Sequence, residues 1–311
     1  MLGSHLSVAG GLVNALDEAQ RLNMDCVQLF TKNQRQWKTK PLTGEERKAF
    51  QTRLRELDWH RRRGPAHVVS HNSYLINMAS PDAKVRKKSI DLQRIELERC
   101  EQLGIRYGVA HPGAHLGQAP KAGEALDLEA PPTRDELAGL KRIVKALDRI
   151  HRDLPGYRTI TCLETTAGAG SNLGYAFHHL AFIRDHVREP QRIGFCLDTC
   201  HVTAAGYDIS SERKVAAMFR RFDAVCGLRD LRVLHLNDSV GAVGSRKDRH
   251  AHIGRGECGL ACFRAIVNRR GLSGVPMILE TPKGKDDRGM LWDVVNLRRL
   301  KRLIRRPASS R

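Results

Sequence analysis

The sequence predicts an α/β chain folded as a single (β/α)8 barrel, with a metal site at the C-terminal face of its strands. Two observations carry this. Short apolar, β-branched runs alternate with longer amphipathic segments eight times, over about the 250 residues such a barrel takes plus insertions. Seven of the eight runs close on His, Asp or Glu. A doubly wound sheet shares the alternation, because sequence alone does not encode closure. Residues 1–303 are assigned to the barrel and 304–311 to a basic, frayed tail.

The strand-like runs are, in order, MLGSHLS, CVQLFTKN, HVVSHNS, YGVAHPG, TITCLET, IGFCLDT, RVLHLND and PMILETP. Helical spacing lies between them. Leu12, Leu16, Ala19 and Leu22 fall on one face; so do Val85, Leu92, Ile95 and Leu103, and Val215, Met218, Phe219 and Phe222. QAPKAGEALDLEAPPTRD, residues 118–135, reads as a long surface loop before a helix.

The runs end on His5, Asn33, His71, His111, Glu164, Asp198, His235 and Glu280. In a barrel these ends converge on one face, where active sites are built. DTCH adds His201 three residues after Asp198. DRH places Asp248 and His250 two apart, on one side of an extended backbone. A lone histidine at a strand end is more often structural, and a lone aspartate at a βα turn is more often an N-cap. Nine such residues converging are different. A single zinc takes about three or four protein ligands, so nine candidates suggest two or three ions sharing a carboxylate. Nitrogen with hard oxygen donors suits Zn²⁺, with Mn²⁺ the second choice at one site.

The run GFCLDTCH raised two rival readings, a redox pair and an acid–base pair. Cys196 and Cys200 are spaced CxxxC, and none of the eight cysteines forms CxxC. They read as packing residues in a reducing compartment.

The chain carries 53 Lys+Arg against 34 Asp+Glu, a net charge of +19. The last fourteen residues hold seven basic groups and no acid, yet the excess extends over the body. Such a field attracts polyanions. A solvated surface is the plainer reading. No segment is apolar enough to span a membrane, and MLGSHLSVAGG lacks the features of a secretory signal. A multi-metal site on a basic body points to phosphate-ester chemistry. Two ions about 3.5–4 Å apart can activate a water and neutralise a leaving oxygen.

At this level of detail the chain resembles the endonuclease IV family, zinc-dependent apurinic/apyrimidinic (AP) endonucleases. The resemblance runs from about residue 3 to 300. It rests on GSHLSVAGG (3–11), FTKNQRQW (30–37), HNSYLIN (71–77), AHPGAHLG (110–117), LETTAGAGSNLG (163–174), LDTCHVTAAGYD (197–208), HLNDS (235–239), DRHAHIGRG (248–256) and LETPKG (279–284). It implies a TIM barrel holding three Zn²⁺. His71, His111 and Glu164 would hold the first ion. Glu164 would bridge to a second, completed by Asp198, His235 and Glu280. His201, Asp248 and His250 would hold the third. Glu280 and Glu164 are the expected catalytic residues, Glu280 positioning the attacking, zinc-activated hydroxide. The implied reaction cuts double-stranded DNA 5′ to an abasic site, leaving a 3′-hydroxyl and a 5′-deoxyribose phosphate. Trimming of blocked 3′ ends is implied too.

The resemblance also implies that Arg35 and Gln36 enter the duplex near the lesion, and that Tyr74 and Leu75 wedge into the base stack. An abasic site lacks stacking, so kinking costs least there. His5 and His115 are expected at the edge of the site without binding metal. Arg61 to Arg63 and the tail read as solvated surface. A monomer in the bacterial cytoplasm, associated with DNA, is the expected setting. Two rivals stand. One is a sugar isomerase or epimerase of the same barrel superfamily, using one or two divalent ions. The other is a DNA-binding protein with a structural metal and no catalysis.

Overall fold

The computed structural model describes residues 1–60, 66–121 and 123–305. The eight runs form a closed parallel barrel. Its elements are β1 (Leu2–His5), α1 (Val13–Arg21), β2 (Cys26–Leu29), α2 (Gly44–Glu56), β3 (Val68–His71), α3 (Ala83–Leu103), β4 (Tyr107–Ala110), α4 (Arg134–Asp153), β5 (Ile160–Glu164), α5 (Phe177–His186), β6 (Ile193–Asp198), α6 (Thr199–Ala205), α7 (Glu212–Cys226), β7 (Leu231–His235), β8 (Asp238–Ser239), β9 (His250–Ala251), α8 (Gly259–Val267), β10 (Met277–Leu279) and α9 (Trp292–Leu303). Each barrel strand pairs with its chain neighbour, and β10 closes the ring on β1.

Alternation of side chains along a strand explains the interior. One apolar cluster contains Cys26, Val69, Val109, Cys162, Cys196, Val233 and Ile278. Two residues beyond each of these comes Gln28, His71, His111, Glu164, Asp198, His235 or Glu280. The same alternation therefore puts an apolar floor directly under a polar layer. β1 contributes Gly3 and His5 in register. Gly3 is needed for closure, since a Cβ there would lie 1.8 Å from the Cys26 carbonyl oxygen.

The larger core cluster fills the space between strands and helices, with Leu16, Phe50, Leu92, Leu147, Phe177, Phe195 and Phe222 fully buried. Helix starts follow side-chain chemistry. Thr43 with Glu46 and Thr133 with Glu136 form capping boxes at α2 and α4, and Asp82 caps α3.

α1 buries Leu16 and Ala19 and α7 buries Val215, Met218, Phe219 and Phe222, as their spacing predicts. α3 departs from expectation. Val85 and Ile95 are only half-buried, while Ser89, Gln93 and Glu96 face inward. The helix is rotated because those polar groups bind loops above the barrel.

Residues 118–121 and 123–133 form a loop, as composition predicts, while Arg134 and Asp135, expected in it, already belong to α4. The loop is tied down: Arg246 donates to the carbonyls of Lys121 (2.8 Å) and Gly168 (2.9 Å). The last turn of α9 ends at Leu303, and the Arg305 amide donates to Asn268 Oδ1 (2.7 Å). Residues 306–311 and Arg61 to Arg63 lie outside the described residues. Among the described residues no helix is long and apolar enough to cross a membrane.

Candidate metal centre

Eight polar residues ring the C-terminal mouth of the barrel, and three more reach over it from α6 and from the segment after β7. His71, His235, Glu164, Asp198 and His201 are buried; His111, His250 and Glu280 are partly open; Asp248 is exposed. Donor atoms fall into three groups, within each of which they lie within 4.8 Å of one another. These are His71, His111 and Glu164; Glu164, Asp198, His235 and Glu280; and His201, Asp248 and His250. Glu164 is common to the first two. One of its oxygens lies 3.3 Å from His71 Nε2 and 3.1 Å from His111 Nε2; the other lies 2.8 Å from His235 Nδ1. In the third group, Asp248 lies 3.2 Å from His201 Nε2 and 3.5 Å from His250 Nε2.

The backbone delivers the third group through two devices. Asp198 is the N-cap of α6, which swings His201 back over the mouth. The short antiparallel pair β8–β9 sets Ser239 opposite His250. Asp238 steadies the turn beyond by accepting from Gly254 (2.8 Å) and Cys258 (2.9 Å). The extended backbone expected at DRH is thus realised at His250, with a pairing partner the sequence did not indicate.

Partners of the imidazoles fix which nitrogen faces the cluster. His71 Nδ1 lies 2.8 Å from the Asn72 carbonyl, His201 Nδ1 2.8 Å from that of Thr165, and His250 Nδ1 3.1 Å from that of Glu280. A carbonyl only accepts, so Nδ1 carries the proton in each, and Nε2 is directed at the cluster. His235 is turned the other way: Nε2 donates to Gln28 Oε1 (2.9 Å), leaving Nδ1 to face Glu164, Asp198 and Glu280.

Carboxylates and imidazoles hold one another's charge across the cluster. Burial alone would raise the Glu164 carboxyl, but His235 and His111 hold it well below the usual range. Glu280 is likewise held well below it, against its burial, by His235 and His5. Asp248 opposes its own desolvation and falls to about 2 beside His201. Conversely, although burial works the other way, Asp198 and Asp248 raise His201 well above an ordinary imidazole, and Cys196, Glu280 and Glu164 do the same to His235.

These donors fit a divalent metal. Bonds of about 2.0–2.1 Å in a tetrahedron separate ligand atoms by roughly 3.3 Å. Within the three groups, the contacts of 3.1–3.5 Å from His71, His111, His201 and His250 to a carboxylate are close to that edge. The buried Nε2 of His250 has no hydrogen-bond partner, although it is directed at the cluster. Mixed imidazole and carboxylate donors match the preference of zinc and its neighbours.

Two cysteines come equally close: Cys196 to Glu164 and His235, and Cys200 to Asp198 and His250. Burial pushes both thiols up to about 12, as fits packing residues. All eight cysteines are free and buried.

The other expected residues sit around the mouth. Arg35 and Gln36 are exposed on the loop after β2. Tyr74 is 60% exposed, its ring 5.1 Å from that of His71 and 5.7 Å from that of His111; Leu75 beside it is half-buried. His5 borders the cluster, 3.4 Å from Glu280. His115 does not share that setting: it is buried under α4, against Gly139, and hydrogen-bonds Ser171 and Gly117. Asn33 is corrected too. β2 ends at Leu29, and Asn33 lies beyond it, its side chain accepting from the Arg35 amide (2.9 Å). Gln28 takes the inward place, donating to Glu280 at 2.6 Å. Sequence reasoning missed Gln28. It also missed Asn237, which donates to Asp198 (2.6 Å) and accepts from the Glu280 amide (2.8 Å). The available signal was a lone amide in the otherwise apolar CVQL.

Fold and site together define the class: residues 16–301 match the model of the xylose isomerase-like TIM barrel family. A Chloroflexus aurantiacus protein named "Probable endonuclease 4" is 42% identical over 302 residues, covering 97% of each chain. The crystal structure of endonuclease IV from Thermus thermophilus superposes with a TM-score of 0.78 at 31% identity, over 97% of this chain and 98% of that one. This chain belongs to the endonuclease IV family. D-allulose 3-epimerase from Methylomonas sp. shares the fold alone, with 17% identity and a TM-score of 0.58 over 91% of this chain and 84% of that one.

Proposed function

We propose that the protein is a DNA-repair endonuclease that hydrolyses the phosphodiester 5′ to an abasic site, and that it also trims blocked 3′ ends. The observation that carries this is the three-part donor set joined by Glu164 at the barrel mouth, in a chain alike over its whole length to endonuclease IV. His71, His111 and Glu164 would hold one Zn²⁺; Glu164, Asp198, His235 and Glu280 a second; His201, Asp248 and His250 a third, with Mn²⁺ acceptable at one of them. Bound there, the ions would supply Lewis acidity toward the phosphate and a nucleophile at neutral pH.

The chain's own groups do the remainder. Glu280, ionised and fixed by Gln28, orients the attacking group. Arg35 and Gln36 on one loop, and Tyr74 and Leu75 on the other, occupy and prop the gap left by the missing base. Lysines and arginines of the body bind phosphates without reading sequence. The barrel of residues 1–303 carries the activity, and 304–311 is an appended tail. We place the protein on bacterial DNA in the cytoplasm, as a monomer.

His201, Asp248 and His250 favour this reading over sugar isomerisation, which uses one or two ions. The deciding experiment is incision of a duplex oligonucleotide bearing one abasic analogue, with metal measured on the same preparation. Cleavage 5′ to the lesion, abolished by chelation and restored by zinc, supports the proposal. No cleavage by fully loaded protein overturns it and turns attention to sugars.

A further inference from the structure

We propose that Glu96, a residue of α3 outside the metal cluster, is the positioning residue that holds the two DNA-entering loops in register with each other. This rests on the reading that Arg35, Gln36, Tyr74 and Leu75 contact DNA.

Glu96 is 1% exposed. Its two oxygens serve two loops. Oε2 accepts from the Thr31 hydroxyl (3.0 Å), two residues past the end of β2. Oε1 accepts from the Ser73 amide (3.2 Å), immediately before Tyr74. The Ser73 hydroxyl then donates to the Gln34 carbonyl (2.6 Å), joining the loops directly beside Arg35.

Residues one turn away on α3 extend the clamp. Gln93 accepts from Asn72 (2.8 Å). Arg99 donates to the carbonyls of Thr31 (2.9 Å) and Lys40 (3.0 Å). From within the first loop, Lys32 donates to the carbonyls of Asn33 (2.7 Å) and Gln36 (2.6 Å), holding its turn from beneath. Arg35 and Tyr74 are thereby presented on backbones fixed by one buried carboxylate.

A carboxylate is a costly way to fill a helix face that packs Leu92 and Leu97 beside it. Burial raises its pKa, with Lys32 and the Thr31 hydroxyl opposing. An apolar side chain would avoid that desolvation but could not accept from two loops at once. The geometry therefore serves preorganisation: wedge and recognition loop meet the lesion already aligned, so ordering them costs little on binding.

The test is steady-state incision of an abasic-analogue duplex by Glu96→Ala, Glu96→Gln, Tyr74→Ala and the Glu96→Ala/Tyr74→Ala pair, with metal content measured on each. Glu96→Ala is expected to raise KM about tenfold, the equivalent of one to two lost hydrogen bonds, with kcat within about twofold and metal unchanged. Glu96→Gln restores KM, because an amide can accept from Ser73 and donate to the Thr31 oxygen. In the Tyr74→Ala background, Glu96→Ala adds less than its full tenfold, since part of its effect runs through that side chain and the rest through the loop of Arg35.

An unchanged KM in Glu96→Ala, with Tyr74→Ala impaired, overturns the clamp alone. An unchanged KM in Tyr74→Ala overturns the reading of the loops as DNA contacts. A fall in kcat or in metal at constant KM makes Glu96 ordinary structural support and also overturns the proposal. If Glu96→Ala does not fold, the near-isosteric Thr31→Val removes one end of the clamp. It must then raise KM severalfold at constant kcat, or the proposal fails.

Discussion

The carboxylate of Asp198 accepts the backbone amide of His201 through Oδ1 at 3.0 Å, while Oδ2 lies 3.7 Å from both His235 and His250. A single side chain is thus the N-cap of α6 and a member of the candidate donor cluster. Helix start and donor position are set by one group, which ties His201 to the acid.

Glu280→Gln is expected to retain affinity for abasic duplex and lose incision by about 10²–10³, the usual cost of removing one preorganised charged group at a reaction centre. Single-turnover incision and fluorescence anisotropy measure the two separately. Near wild-type cutting would show that Glu280 has been given the wrong role.

Gln28→Leu should weaken metal binding about tenfold or more, because it frees His235 Nε2 and one oxygen of Glu280. Competition with a coloured chelator reads the affinity. An unaltered competition curve would mean that the ring of His235 is fixed by packing alone.

Metal binding should release protons and should stabilise the protein more as pH rises from 6 to 8. In the metal-free chain His71, His201 and His235 have pKa values raised above 6.5. Their stabilisation is complete below 6.5 and is lost as pH climbs through the raised folded values. Glu164 and Glu280, depressed below 4.5, contribute stability above 4.5 that is lost as pH falls through their folded values. Ions require the imidazoles neutral, so they displace these protons. Calorimetry in buffers of different ionisation enthalpy counts the protons, and thermal melts with and without zinc give the trend. A zinc-induced Tm shift independent of pH would contradict it.

Gly3→Ala should destabilise the barrel by about 3 kcal/mol or more, since the new methyl has no room beside the Cys26 carbonyl. Urea denaturation is the measurement. A loss below about 1 kcal/mol would show that the β1–β2 seam can open to admit it.

The barrel was legible because each strand is short, apolar and ends on a polar residue two places beyond an interior one. The nine cluster residues were legible for the same reason, together with DTCH and DRH. What stayed hidden depends on contacts between distant elements. The inward face of α3 carries Ser89, Gln93 and Glu96 because loops above it need acceptors and donors, and a search for apolar spacing selects Val85 and Ile95 instead. Asn33 seemed to end β2 because the polar stretch after Phe30 hides where pairing stops. His115 looked like a site residue from its place in AHPGAHLG, but that loop turns it under α4. The β8–β9 pair is two residues long on each side, too short to leave a periodic trace.

The apolar floor of Cys26, Val69, Val109, Cys162, Cys196, Val233 and Ile278 has a consequence for traffic. It stoppers the barrel directly below the donor layer, which leaves the C-terminal mouth as the doorway to that layer among the described residues. On the proposed reading that doorway is also where DNA lies. A bound duplex would then shut the ions in, and a chelator would strip the resting enzyme faster than the working one.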